Sequence, residues 1–210
     1  MKNFNTEGRS LYTSSFPTHT VRMSGVRKFT YSDYKAWELK EGERYELIDG
    51  EAFAMSAPND QHQAIAAELT AWFVTFLRGK PCTVRPAPYD VRLFYEEDEN
   101  DDTVVQPDIS VICGKEKRGP EGCRGAPDLV VEILSSGSIS NDLVRKFNLY
   151  LEAGVREYWV VSPEHKTVQV FVLQDGAYRG KVYHGDASVP SSVLEGLSVN
   201  MAAVFVPGKE

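Results

Sequence analysis

The chain has 210 residues, of which 42% are hydrophobic and 25% charged, a composition typical of one folded domain and not of a disordered chain. Its 23 Lys and Arg against 30 Asp and Glu give a net charge of -7, which argues against a surface that coats nucleic acid or anionic membranes non-specifically. Six acids in residues 96–102 account for nearly all of that charge, so a local nucleic-acid groove is not excluded. We expect this acidic segment to be a solvated linker.

The N-terminus does not resemble a targeting segment. The first 25 residues contain eight Ser or Thr and no continuous apolar stretch, so they lack the core of a signal peptide. No run anywhere approaches 18 apolar residues, the length that a membrane-spanning helix needs. We therefore expect a flexible arm over residues 1–28, a single domain over 29–206, a short tail at 207–210, and no association with a membrane.

The cysteines predict a reducing compartment. Three cannot all pair, and none lies in a C-x-x-C arrangement, so neither a disulfide framework nor a zinc site is supported. We expect free thiols and a cytoplasmic protein. The three residues are Cys82, Cys113 and Cys123.

The first third of the domain contains two predicted helices and a hairpin. Thr30 or Ser32 can cap a short helix, YSDYKAWELKEG, that ends at a glycine. The dipeptide Asp49-Gly50 between two apolar-rich runs is a strong hairpin signal. A long amphipathic helix then covers residues 59–79, with apolar residues at helical spacing and Gly and Pro at its end.

The rest of the chain is rich in predicted strands. Four strand-like runs are TVRPAPYDVRLFY, VVQPDISVIC, PDLVVEILS and REYWVVSP; a helix, NDLVRKFNLYLEAG, separates the last two. A loop, GKEKRGPEGCRG, lies between the second and third runs, and a closing hairpin turns at Asp175-Gly176. This order predicts an α/β domain in which a mixed sheet is flanked by helices, with hairpin additions at both ends.

Two carboxylates interrupt otherwise apolar strands. Glu132 is the one charge in LVVEIL, and Asp108 stands at the start of the strand in QPDISV. A buried, unpaired carboxylate is costly, so such groups usually acquire a partner or a metal. If the two strands are neighbours, the carboxylates converge and can hold a hard divalent cation. Alternatively, Glu132 is satisfied by Arg or backbone groups and Asp108 forms an Asx-type turn.

The following helix supplies a cation. At about 100° per residue, Lys146 falls at the rim of the face that carries Leu143, Phe147 and Tyr150, whereas Arg145 points to solvent. Lys146 can therefore extend toward the carboxylate pair, where it would orient a water or stabilise a phosphate. Its alternative partner is Asp142, four residues earlier on the same helix.

Together these segments resemble a known family. YELIDGE, the HQ helix, QPDISV, PDLVVEILS, the D-x-x-x-K of Asp142 and Lys146, and GVREYWVVSP are similar to the Uma-type family of restriction endonucleases, within the PD-(D/E)XK nuclease superfamily. The resemblance extends from about Phe29 to Phe205. It implies a restriction-endonuclease-like core and metal-dependent hydrolysis of phosphodiesters in DNA.

The resemblance also implies roles for single residues. Asp108 corresponds to the aspartate of the PD motif and Glu132 to the second acid, together binding Mg²⁺ or Mn²⁺. The superfamily lysine two residues after the second acid is missing, because that position is Leu134. In this family the lysine is thought to have moved to the next helix, which assigns the catalytic role to Lys146. A homodimer is expected by analogy.

Several further residues are candidates with alternatives. Gln106, beside the PD pair, is a candidate contact to metal-bound water or substrate. Glu46 and Glu68 are candidates for a third carboxylate, with Glu51 a weaker choice. His62 is either a phosphate contact or a structural residue at a helix start. The basic loop carries the candidate phosphate contacts Lys115, Lys117, Arg118 and Arg124, or is simply solvated.

The leading hypothesis is therefore a divalent-metal-dependent DNA endonuclease, in which the metal activates a water and Lys146 positions or deprotonates it. One alternative is a metal-dependent hydrolase of some other phosphate ester. The other is a catalytically silent nucleic-acid-binding or assembly module that retains the nuclease fold. The missing strand lysine is its main support.

Overall fold

The computed structural model describes residues 28–135 and 140–205. Except for Lys28, the predicted N-terminal arm lies outside the described residues, as does the predicted tail at 207–210. In chain order the elements are α1 (Tyr31–Lys35), β1 (Tyr45–Ile48), β2 (Glu51–Ala54), α2 (Asp60–Leu77), β3 (Thr83–Pro86), β4 (Val91–Arg92), β5 (Val104–Val105), β6 (Ile109–Ile112), β7 (Arg118–Gly119), β8 (Gly122–Arg124), β9 (Leu129–Ile133), α3 (Ser140–Ala153), β10 (Glu157–Ser162), β11 (Thr167–Gln174), β12 (Ala177–His184), β13 (Ser188–Pro190), β14 (Ser198–Asn200) and α4 (Met201–Val204).

The central sheet is mixed, as predicted. It has six strands in the order β12-β11-β10-β9-β6-β3, in which β9 and β10 are parallel and the other pairs antiparallel. The parallel pair is joined by α3, because a parallel connection needs a crossover. The strands β9 and β10 are almost entirely buried, which explains why their sequences show little alternation of apolar and polar residues.

Both faces of the central sheet are covered. On one face α2 contributes Leu69 and Phe73, and the ring of Phe73 meets Trp159 of β10 edge to face at 5.7 Å. On the other face lie α3 and a second six-stranded sheet, in the order β2-β1-β5-β4-β8-β7. The strands β13 and β14 form a separate pair that packs with α4 on the α2 side. The restriction-endonuclease-like architecture with terminal hairpins is thus confirmed.

Two of the predicted strands divide between the sheets. TVRPAPYDVRLFY gives β3 in the central sheet and β4 in the second, and VVQPDISVIC gives β5 in the second sheet and β6 in the central one. Prolines lie at both divisions, and proline cannot donate to a strand ladder. The segment that contains Gln106 and Asp108 therefore passes from one sheet to the other.

The first helix is shorter than predicted. Thr30 is its N-cap and forms a capping box with Asp33, but the helix ends at Lys35, well before Gly42. The ring of Trp37 packs edge to face against those of Phe29 and Tyr45, at 5.4 and 6.0 Å. This aromatic packing holds the chain after α1 against the hairpin and replaces the predicted helical turns.

The two charged loops are also more ordered than predicted. The basic loop contains the hairpin of β7 and β8, and β8 pairs with β4 in the second sheet. In the acidic segment Asp101 is buried and accepts hydrogen bonds from the Arg92 guanidinium, while Glu99 pairs with Lys35 at 2.7 Å. The acidic segment is therefore not a wholly solvated linker, because part of its charge is neutralised by specific cations.

The expectation of three free thiols is wrong in this structure. Cys82 and Cys113 form a disulfide, since they directly precede β3 and follow β6 and the register of those strands places them opposite each other. Cys123 is a buried free thiol, and burial raises its pKa to about 12. Among the described residues, no helix is long and apolar enough to span a membrane.

The cysteine pairing predicts a thiol count. Titration of purified, unreduced protein with a thiol reagent should detect no reactive thiol in the native state, because Cys123 is buried. In denaturant it should detect one thiol per chain, and after reduction three. Three thiols in unreduced, denatured protein would contradict the Cys82–Cys113 disulfide.

Candidate active site

The strands β6 and β9 bring the two predicted acids together. Their antiparallel register pairs Ile109 with Val131, so Asp108 and Glu132 lie opposite each other at the next position. Directly opposed residues of an antiparallel pair project from the same face of the sheet. Both side chains are largely but not fully buried, at 18% and 12% exposure. The site thus stands between the central sheet, the second sheet and α3.

One oxygen of Asp108 is held by two donors. Its Oδ2 accepts a hydrogen bond of 2.7 Å from the backbone N–H of Ile133 and lies 3.1 Å from Nε2 of His62. Its backbone carbonyl accepts a hydrogen bond from the N–H of Ala87 in the chain that follows β3. The aspartate is therefore attached to β9, to α2 and to the β3 edge, and the Asx-type turn is not needed to explain it.

Glu132 is bound from α3. Its Oε1 accepts hydrogen bonds from Nζ of Lys146 at 3.0 Å and from the hydroxyl of Tyr150 at 2.6 Å. Lys146 and Tyr150 are four residues apart, so they occupy adjacent turns of one helix face. Lys146, predicted at the rim of the apolar face, is buried. Arg145, predicted to point to solvent, is half-buried, with its guanidinium 4.1 Å from the ring of Phe53.

A third carboxylate comes from the second sheet. Oε1 of Glu46 in β1 accepts a hydrogen bond from Lys146 at 3.0 Å and one from the backbone N–H of Gln106 at 2.9 Å. The Gln106 side chain donates to Asp90 at 2.8 Å and to the hydroxyl of Tyr34 at 3.3 Å. Gln106 therefore supports Glu46 through its backbone N–H and is itself anchored by two partly buried polar side chains.

Burial and neighbouring charges shift the pKa values of three groups in the site. Burial raises the pKa of Glu132 to about 7, although the Lys146 ammonium opposes this effect. Burial alone would lower the pKa of Lys146, but the carboxylates of Glu132 and Glu46 outweigh it and raise that pKa well above its usual value. The hydrogen bond to Asp108 raises the pKa of His62. Lys146 is therefore a fixed cation, which favours a positioning and charge-stabilising role over that of a base.

Not every candidate joins this group. Glu68 is exposed on α2, and its position six residues after His62 places it on a different side of that helix; Glu51 is exposed in β2. Three contacts were missed by the sequence analysis. Tyr150 shares the helical face of Lys146 and could have been found from spacing, whereas Asp90 and the His62–Asp108 contact depend on chain crossings that no local pattern contains.

The carboxylates are suited to a hard cation that retains water ligands. Among the described residues, no group of three or more His, Cys, Asp and Glu side chains is arranged to hold a metal ion. However, Mg²⁺ usually takes only one or two protein carboxylates and keeps several waters. Asp108 and Glu132 each have one oxygen engaged by two donors, and no hydrogen bond from the described residues reaches the other. Their free oxygens fit such a cation.

A cleft of about 460 Å³ lies near the chain segments that carry His62 and Glu132, but neither side chain lines it. It lies at the start of α2 and at the ends of β9 and β10, and its lining is mostly polar. The residues that line it include Asn59, Gln61, Ser135, Ser162, Glu164 and His165.

The α/β fold of this chain is similar to that of a solved structure. A crystal structure from Anabaena variabilis, described as "a putative nuclease belonging to DUF820", matches with a TM-score of 0.66 and 22% identity, covering 84% of this chain and 97% of that chain. The chain belongs to the Uma2 family, whose description is "Putative restriction endonuclease" and whose model matches residues 31–202. An uncharacterized protein of Synechocystis sp. is 27% identical over 149 residues, which is 70% of this chain and 76% of that protein. The resemblance inferred from the sequence is confirmed.

The Lys146 contacts predict a pH-dependent loss of stability. Lys146→Met leaves Glu46 and Glu132 buried without their cation, which should cost about 3 kcal/mol of the free energy of unfolding near pH 8. Without the ammonium the folded-state pKa of Glu132 rises above its wild-type value of about 7, so the extra loss develops as pH rises above about 7 and is small at pH 5. Urea unfolding at both pH values measures this difference.

The neighbouring Arg145→Met is the matched control. It removes the contact with Phe53, which is worth about 1 kcal/mol or less, and should show no such pH dependence. Equal and pH-independent losses in the two variants would contradict the ion-pair network.

Proposed function

We propose that this chain is a divalent-metal-dependent DNA endonuclease. The observation that carries the proposal is the direct opposition of Asp108 and Glu132 on paired strands, with the Lys146 ammonium 3.0 Å from Glu132. Membership of the Uma2 family supports the nuclease class. Lys146 pairs with Glu46 and Glu132 but not with Asp108, so among the described residues no lysine or arginine neutralises Asp108, which suits the site to a divalent cation.

In this proposal Asp108 and Glu132 would hold Mg²⁺ or Mn²⁺. Such a cation supplies water activation and neutralisation of phosphate charge. Lys146 keeps its proton at Nζ and stabilises the negative charge that develops on the phosphate. Glu46 and Tyr150 fix the position of the ammonium and of Glu132. In the net reaction, water adds to phosphorus, a P–O bond to the sugar breaks, and the departing oxygen takes up a proton.

The basic hairpin is the proposed contact for the DNA backbone. It is joined to the site because the N–H of Cys123 donates to the carbonyl of Asp90, whose side chain holds Gln106. Lys117 donates to the carbonyl of Ala126 and lies 3.7 Å from Asp128, so part of its charge is already engaged. We expect Arg124, which is exposed on β8, to contribute most to backbone contacts.

Plasmid cleavage in Mg²⁺ or Mn²⁺ tests the proposal. Asp108→Asn and Glu132→Gln should reduce cleavage to background because each removes a metal ligand, and Lys146→Ala should lower the rate by about 100-fold or more. The control Glu152→Gln changes an exposed acid on the same helix as Lys146 and should cleave at the wild-type rate. Cleavage that survives in both Asp108→Asn and Lys146→Ala would overturn the assignment of the site.

The same experiment separates the alternative function. Salt-sensitive DNA binding without cleavage in either metal would favour a catalytically silent nucleic-acid-binding module.

Cutting both strands needs two sites, so we expect a homodimer, which sedimentation of the purified protein would reveal. A cytoplasmic location stays a prediction.

A further inference from the structure

The three carboxylates of the site share one pattern of hydrogen bonding. In each, a single oxygen accepts from two protein donors: Lys146 and Tyr150 at Glu132, and Lys146 and the Gln106 N–H at Glu46. At Asp108 the two donors are the Ile133 N–H and the ring of His62. The pattern fixes the rotation of each carboxylate and leaves its other oxygen free of hydrogen bonds from the described residues.

We propose that His62 is a positioning residue that orients Asp108 as a metal ligand. A carboxylate only accepts hydrogen bonds, so the Nε2 of His62 must carry the hydrogen that points to Oδ2. The Ile133 N–H alone would leave the Asp108 carboxylate free to rotate about its last bond. With both donors in place, the rotation of the carboxylate is fixed and Oδ1 is left for a cation. This inference rests on the proposed function.

The start of α2 fixes the backbone that carries the imidazole. Asn59 is the N-cap, and its side chain accepts a hydrogen bond of 2.8 Å from the backbone N–H of His62. His62 is only 8% exposed, and the helix is held to the central sheet by Leu69 and Phe73. An exposed imidazole would pay rotational entropy to hold Asp108, but a buried one on a packed helix is already oriented. Partners that orient a metal ligand typically change metal affinity by 10–100-fold.

A purely structural His62 predicts a different result. If the ring only fills space, an apolar side chain of similar size will preserve the site. If the hydrogen bond matters, His62→Gln should preserve it, since the glutamine amide can donate from nearly the same place, and His62→Leu should not. His184→Leu removes an exposed imidazole from β12 and is the matched control.

The measurement is Mn²⁺ binding to the metal-free protein, followed by electron paramagnetic resonance of the free ion. We expect His62→Leu to raise the Kd for Mn²⁺ at least tenfold, and His62→Gln and His184→Leu to stay within about threefold of wild type. Thermal unfolding verifies that each variant is folded, and His62→Ala repeats the test if the leucine variant is not.

The outcomes separate this inference from the proposed function. Wild-type affinity in His62→Leu, or equal weakening in the leucine and glutamine variants, would overturn the positioning role alone. Absence of Mn²⁺ binding by the wild-type protein, or binding unchanged by Asp108→Asn, would overturn the proposed metal site and the inference with it.

Discussion

The pairing of β6 with β9 is the constraint on which the candidate site depends. Its register sets Asp108 opposite Glu132, and the Ile133 N–H, one residue further along β9, binds Asp108 directly. A slip of one residue would move one of the two acids to the opposite face of the sheet, because side chains alternate along a strand. The hydrogen bonds of Asp108 to the Ile133 N–H and of Glu132 to Lys146 and Tyr150 oppose this slip, since it would leave a buried carboxylate without its donors.

Burial of Lys146 explains how the acids coexist. Its ammonium lies between Glu46 of the second sheet and Glu132 of the central sheet, so one cation links both sheets to α3. Breaking a buried pair by removing one partner is costly, so Lys146 is what allows Glu46 and Glu132 to be buried together. The positions of the charges therefore describe this protein better than its net charge does. Arg92 and Lys35 pair with acids of the segment 96–102, which accounts for most of the net negative charge.

The parts of the fold that sequence predicted well are those that local patterns specify. The apolar repeat of α2, the Asp49-Gly50 hairpin and the run of β9 that is apolar except for Glu132 each contain their own signal, and each matches the structure. The expectations that failed depend on distant contacts. Trp37 packs on a hairpin instead of continuing α1, and Cys82 meets Cys113 only because β3 and β6 are neighbours.

By itself the sequence determined the class of fold, the family, and the unusual placement of Asp108, Glu132 and Lys146, because a charge among apolar strand residues is visible locally. Only the tertiary structure decided which donors hold those acids. Glu46 entered the site and Glu68 did not, although both were candidates, because hydrogen-bond partners are selected by the packing of the sheets and helices. That packing joins residues up to 100 positions apart, as in the contact of Lys146 with Glu46, and periodicity does not record it.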